Sequence, residues 1–68
     1  MGKLDEALKT LQGAYKTRAD AEIGAHLGEV LWMMNRRDEA RQAWRDARVI
    51  NADNETLVET IKRLDPKF

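Results

Sequence analysis

The segment from Asn35 to Trp44 reads NRRDEARQAW, and the segment from Gly2 to Leu11 reads GKLDEALKTL. Both carry Asp-Glu-Ala at the same place, and they begin 33 residues apart. The overlay continues at the same offset through three pairs of residues: Ala7 with Ala40, Leu11 with Trp44, and Ala14 with Ala47. A fixed period of this size is typical of proteins built from stacked helical repeats.

The composition argues against several classes of protein. At 68 residues the chain has room for one domain at most. Twelve basic side chains balance twelve acidic ones, so the chain lacks the strong positive field that is usual in binders of nucleic acids and anionic membranes. Cysteine is absent, which leaves the redox compartment open. The longest apolar run, Val30 to Met34, is far shorter than the ~20 residues of a membrane span.

The spacing of apolar residues predicts an all-α fold of about four helices. The first helix covers residues 4–16, a helix pair covers residues 21–50, and a closing helix covers residues 55–64. Short turns join them, so consecutive helices are expected to pack antiparallel in a single domain over residues 1–68.

Capping residues and breakers fit these boundaries. Asp20 is the expected N-cap of the second helix, either Asp53 or Asn54 caps the fourth, and Asp65-Pro66 ends it. The apolar positions of the last two helices are expected to face inward: Ala40, Ala43, Trp44, Ala47, Val49, Ile50, Leu57, Val58, Ile61 and Leu64.

Two glycines interrupt the second helix at Gly24 and Gly28. Each costs roughly 1 kcal/mol relative to alanine inside a helix, so a compensating contact is expected. Gly28 offers a flat patch to Trp44 and to the small residues of the third helix. A membrane dimer motif is a poor alternative, because Glu22 and Glu29 lie on the same helix.

From Ala21 to Asn54 the chain resembles one tetratricopeptide repeat (TPR), whose period is about 34 residues. The matching residues are the Leu27-Gly28 pair, Leu31 at the tyrosine position, Ala40, and Trp44 at the phenylalanine position. Two residues depart from the family pattern: Gly24 replaces the first large aromatic, and Ala52 replaces the proline.

The resemblance implies an α-α superhelix in which the first helix is the second half of a preceding repeat and the last helix is a cap. Ala7, Leu11 and Ala14 would then be bare, and we expect a possible homodimer through them. Such arrays usually need about three repeats, so the chain is expected to come from the C-terminal end of a longer protein. The stretch from Leu27 to Ile50 also resembles the last repeat of proteobacterial TPR lipoproteins that act as protease adaptors.

The family resemblance further implies a protein–protein interaction module whose partner lies on the concave helix face. The corresponding residues here are Glu22, Ala25, His26, Glu29, Trp32 and Met33. The alternative is a structural cap, or a self-association segment, of a longer array. An exposed patch at Trp32 and Met33 would favour the binding module, whereas burial of that patch would favour the cap.

A stripe of arginines follows the third helix at Arg37, Arg41, Arg45 and Arg48. Three interpretations are open: a solvated or internally paired stripe, an acidic protein partner, or nucleic acid. The first is favoured, because acids interleave with the stripe and no aromatic residue accompanies it as a stacking platform for bases.

Residues capable of chemistry are few. Glu22, His26 and Glu29 share a helix face and could in principle hold a divalent metal, but three ligands from one helix rarely converge, so a solvated polar face is predicted. No Ser-His-Asp set, phosphate-binding glycine loop or His-Glu-x-x-His motif is present. The sequence therefore predicts no enzyme, no cofactor and no metal site.

Overall fold

The computed structural model describes residues 2–68, and this part of the chain folds into four α-helices without a strand. The helices are α1 (Gly2–Thr17), α2 (Ala21–Met33), α3 (Arg37–Asn51) and α4 (Glu55–Leu64). The predicted all-α fold is confirmed, and the helix boundaries lie close to those expected from the apolar spacing.

The central helix is α2, which lies against each of the other three. Gly28 faces Trp44 and Gly24 faces Ala47, so α2 and α3 run antiparallel. Thr56 bonds to Glu22 and Arg63 bonds to Glu29, each pair being 34 residues apart, so α2 and α4 run parallel. The chain therefore brings a second helix beside α2 in the same direction after one period of 34 residues.

Local signals explain both ends of α2. The Asp20 carboxylate accepts hydrogen bonds from the backbone N–H of Glu22 at 2.8 Å and of Ile23 at 3.3 Å, as expected for an N-cap. At the other end Asn35 adopts a left-handed conformation with φ of 63°. The N–H of Arg36 donates to the Leu31 carbonyl at 2.9 Å, which forms a Schellman motif.

The turn before α4 is also capped locally. The Asn54 side chain accepts a hydrogen bond from the Leu57 N–H at 3.0 Å, so Asn54 rather than Asp53 is the N-cap. Helix α4 ends at Leu64, directly before the Asp65-Pro66 pair. The predicted stop is therefore found where the sequence placed it.

The two helical glycines allow α3 to approach α2 closely. A Cβ atom on Gly28 would lie 2.5 Å from Cδ1 of Trp44, and one on Gly24 would lie 2.8 Å from Cβ of Ala47. Real side chains do not come so close, so both positions require glycine in this arrangement. Trp44 is fully buried, and its Nε1 donates to the Ala25 carbonyl at 3.4 Å.

Three residues that were expected to face inward are exposed. Val49 is 87% exposed, Ile50 is 44% exposed and Val58 is 46% exposed. Val49 and Ile50 belong to the last turn of α3, where no described helix covers their side of α3. On α4, Leu57 and Ile61 point into the core, and helical geometry turns Val58 about 100° away from Leu57. The prediction for these three positions was wrong.

After α4 the chain folds back along α3. Nε of Arg41 donates to Oδ2 of Asp65 at 2.8 Å, and Nη1 of Arg48 donates to the Phe68 carbonyl at 3.1 Å. The centroids of the Phe68 and Trp44 rings lie 6.0 Å apart. The segment Asp65 to Phe68, called the tail below, therefore covers one side of the buried tryptophan.

Candidate protein-binding groove

Helix α4 lies along part of the expected ligand face of α2. Oγ1 of Thr56 donates to Oε1 of Glu22 at 3.2 Å, and Nη2 of Arg63 donates to Oε2 of Glu29 at 2.7 Å. Ala25 lies between these two glutamates and is fully buried. The side chain of Ala25 therefore cannot contact a ligand, which corrects its assignment to an open surface.

Trp32 belongs to an aromatic cluster instead of standing free. Its ring lies 5.6 Å from the ring of Trp44, at an interplanar angle of 31°. The guanidinium groups of Arg37 and Arg41 lie over the Trp32 ring at 4.6 Å and 5.5 Å. Contacts of this kind hold an indole in place through cation–π attraction. A ligand would have to displace at least one arginine to reach the face of this ring.

His26 and Met33 remain accessible on α2. His26 is exposed, and Met33 is 62% exposed. They are two helical turns apart, so they share one side of α2. The patch of Trp32 and Met33 is thus divided, with Met33 open to solvent and Trp32 half-buried under arginines.

A groove of about 530 Å³ opens between α1 and α2 beside His26. We call it the α1–α2 groove. It is lined by residues of both helices: Lys3, Glu6, Ala7, Thr10, Leu11, His26, Glu29 and Val30. Of the six residues predicted to contact a partner, the structure brings only His26 and Glu29 into this groove.

The groove has an apolar base and a charged rim. Ala7, Leu11 and Val30 are half-buried and form the apolar part. The rim carries both signs, with Lys3 and Glu6 from α1 and Glu29 from α2. Glu29 is held by Arg63, and its Oε1 lies 3.7 Å from Nδ1 of His26. Such a surface suits an amphipathic protein segment, because apolar area supplies affinity and rim charges set orientation.

The sequence predicted the α1 wall of this groove only as a surface for self-association and not as part of the partner-binding site. Ala7, Leu11 and Ala14 were expected to be bare, and all three are half-buried at the edge of the α1–α2 contact. Lys3, Glu6 and Thr10 lie outside every site that the sequence predicted. The alanine of the repeated Asp-Glu-Ala segment is the signal that points to this wall, because Ala40, the equivalent of Ala7, is fully buried in the α2–α3 contact.

The arginine stripe of α3 is paired within the chain. Arg37 and Arg41 lie over Trp32, while Arg45 and Arg48 lie over Phe68 at 5.1 Å and 4.7 Å. The expectation that no aromatic residue accompanies the stripe was therefore wrong. Both rings come from other elements, α2 and the tail, which spacing along α3 cannot show.

The carboxylate of Asp65 holds the central arginine of this stripe. Arg41 Nε lies 2.8 Å from Asp65 Oδ2, and the hydrogen bond raises the pKa of Arg41 above its already high ordinary value. Asp38 adds a weaker contact at 3.6 Å. These contacts favour an internally paired stripe as a feature of the fold.

The residues considered for metal binding have other partners. Glu22 accepts from Thr56, and Glu29 accepts from Arg63. Among residues 2–68, no group of three His, Cys, Asp or Glu side chains is placed to hold a metal ion. Within the same residues, no helix is long and apolar enough to cross a membrane.

Comparison of the chain with models of known protein families, with curated protein sequences and with solved structures gives no match.

Proposed function

We propose that this chain is a protein–protein interaction segment of the TPR type, which accepts an amphipathic helix from a protein partner in the α1–α2 groove. The observation that carries the proposal is the open groove beside α2, with half-buried apolar residues at its base and charges of both signs at its rim. The parallel placement of α2 and α4 at a register of 34 residues supports the repeat interpretation.

The second copy of the repeated segment indicates what kind of element fits the groove. In α3 the stripe Ala40, Trp44 and Ala47 is fully buried, and helix α2 lies against it. The equivalent stripe on α1 has the same small and large pattern, but it is only half-buried. A helix is therefore the element that matches the free side of α1.

The test uses helical peptides selected against the chain by phage display. The selected peptide is then titrated against wild type, Ala7→Arg, and Gln12→Arg. The first substitution fills the groove, and the second makes the same change at an exposed position of the same helix. We expect binding about tenfold weaker for Ala7→Arg and unchanged for Gln12→Arg. Equal affinities for all three proteins would place the peptide elsewhere and contradict the proposal.

A structural cap or self-association segment is the second candidate, and two observations favour it. Helix α4 binds Glu22 and Glu29 of the expected ligand face of α2. The inner stripe of α1 also alternates large and small residues, Leu4, Ala7, Leu11 and Ala14, which suits close antiparallel pairing with a second copy.

Sedimentation over a range of concentrations tests self-association. A dimer that Leu11→Glu abolishes, and that Gln12→Glu leaves intact, would support pairing through α1. A monomer at every concentration would remove this candidate.

A further inference from the structure

A second groove, of about 280 Å³, lies between the end of α3, α4 and the tail. We call it the α3–α4 groove. Its apolar lining includes Leu57, Val58, Ile61 and Phe68, and its charged lining residues are Arg48 and Lys62. Val58 is 46% exposed there. An aliphatic side chain open to solvent in a concave site offers contact area to another protein segment.

The charged side chains that line this groove are both basic. Arg48 is already engaged, because it donates to the Phe68 carbonyl and lies over the Phe68 ring. Lys62 is exposed at the groove and is the cation best placed to meet a ligand. The nearby acidic side chains either bind another residue or lie outside the groove. Asp65 is bound by Arg41, and Glu59 does not line the groove.

The period of 34 residues shows which part of α2 corresponds to this groove. Val58 corresponds to Gly24, and Lys62 corresponds to Gly28. On α2 those two positions receive Ala47 and Trp44 of α3. The α3–α4 groove therefore corresponds to the surface of α2 against which α3 packs.

The replacement of both glycines changes what can pack there. The side chains of Val58 and Lys62 prevent the close backbone approach seen between α2 and α3. They offer methyl groups and an ammonium group instead. A segment that fits them needs an apolar stripe with a carboxylate beside it.

We infer that the α3–α4 groove binds an acidic amphipathic helix of a protein partner. The apolar side of that helix covers Val58 and Phe68, and a carboxylate pairs with Lys62. The inference does not depend on the α1–α2 groove, because different helices and residues form the two sites.

The probe is a synthetic 15-residue amphipathic helix with leucine on one side and glutamate beside it. A second peptide carries lysine in place of every glutamate. Each is titrated into the isotopically labelled chain, and binding is followed by NMR amide shifts. We expect the acidic peptide to shift the amides of Val58, Lys62 and Phe68, with an affinity that falls as salt is raised. The basic peptide should bind at least about tenfold more weakly.

Two charge reversals distinguish binding in the α3–α4 groove from general electrostatic attraction. Lys62→Glu should weaken the acidic peptide about tenfold and improve binding of the basic one. Lys9→Glu makes the same change in net charge on an exposed face of α1 and should leave the acidic peptide unaffected. Equal effects of the two reversals, or shifts confined to the α1–α2 groove, would overturn the inference. A dimer without peptide that Lys62→Glu dissociates would overturn it in favour of a second copy.

Discussion

Helices α3 and α1 carry the same pattern, yet the structure buries them to different extents. In α3 the residues Ala40, Trp44 and Ala47 are fully buried. In α1 the equivalent residues Ala7, Leu11 and Ala14 are only half-buried. Helix α3 lies against both α2 and α4, and the tail covers Trp44, whereas of the described helices only α2 lies against α1. Burial thus depends on how many elements surround a stripe, and the pattern alone does not set it.

The largest expected difference concerns the two large residues of this pattern. Trp44→Ala should lower the free energy of unfolding by about 3–5 kcal/mol, because it empties a fully buried site. Leu11→Ala should cost about 1–2 kcal/mol, because Leu11 is only partly buried. Urea denaturation measures the free energy of unfolding of both variants.

A small domain can lose all its stability with Trp44→Ala. Trp44→Phe is therefore measured alongside it as a milder change at the same site. If Leu11→Ala proves as costly as Trp44→Phe or more so, α1 is packed as tightly as α3 and the comparison fails.

Two helical glycines should respond to alanine with opposite signs. Gly28→Ala places a Cβ against the Trp44 ring and should destabilise the chain by about 1–3 kcal/mol. A Cβ on Gly13 of α1 meets no atom within 4 Å. Gly13→Ala should therefore stabilise by up to about 1 kcal/mol through helix propensity. Thermal unfolding measures the change in stability of both variants. A change of the same sign in both would show that α1 and α3 do not differ in packing as described.

The two adjacent residues at the end of α2 should also differ. Trp32 stacks on Trp44 and beneath Arg37, so Trp32→Ala should destabilise by about 2 kcal/mol. Met33 is 62% exposed, and Met33→Ala should change stability by no more than about 0.5 kcal/mol. Denaturation curves that coincide for the two variants would remove Trp32 from the buried side of the comparison.

The smallest expected effect concerns the ion pair of Arg36 and Glu39 at the start of α3. Arg36 donates to Glu39 in α3, and this hydrogen bond lowers the pKa of Glu39 below its ordinary 4.5. The residues of α1 that correspond to this pair, 33 positions earlier, are Lys3 and Glu6, which line the α1–α2 groove.

Because the folded pKa of Glu39 is lowered, its contribution to stability is present above the ordinary pKa and is lost as pH falls through the lowered one. Glu39→Gln should make stability fall less steeply in that acid range, and Arg36→Gln should do the same. The pair is exposed, so the change is small. An unaltered acid limb of the stability curve in Arg36→Gln would mean that Arg36 is not the cause of the shift.

The sequence by itself determined the features that depend on neighbours along the chain. Asp20 caps α2 and the Asp65-Pro66 pair ends α4, as the sequence predicts. For the cap of α4 the sequence left Asp53 and Asn54 open, and the structure selects Asn54. Caps and breakers act within one or two turns, so their effect can be derived from spacing. A close contact of Gly28 with α3 also follows, since two helices joined by a short turn must present their apolar stripes to each other, and the structure selects Trp44 as the residue that fills it.

Only the tertiary structure decided which surfaces stay open. Val58 is exposed, Ala25 is buried, and the arginine stripe is covered by rings from α2 and the tail. Each of these outcomes depends on where α4 and the tail lie relative to α2 and α3. Periodicity states which residues share a face of one helix, but the element that covers that face comes from another part of the chain. The candidate grooves therefore became visible only when all four helices were placed together.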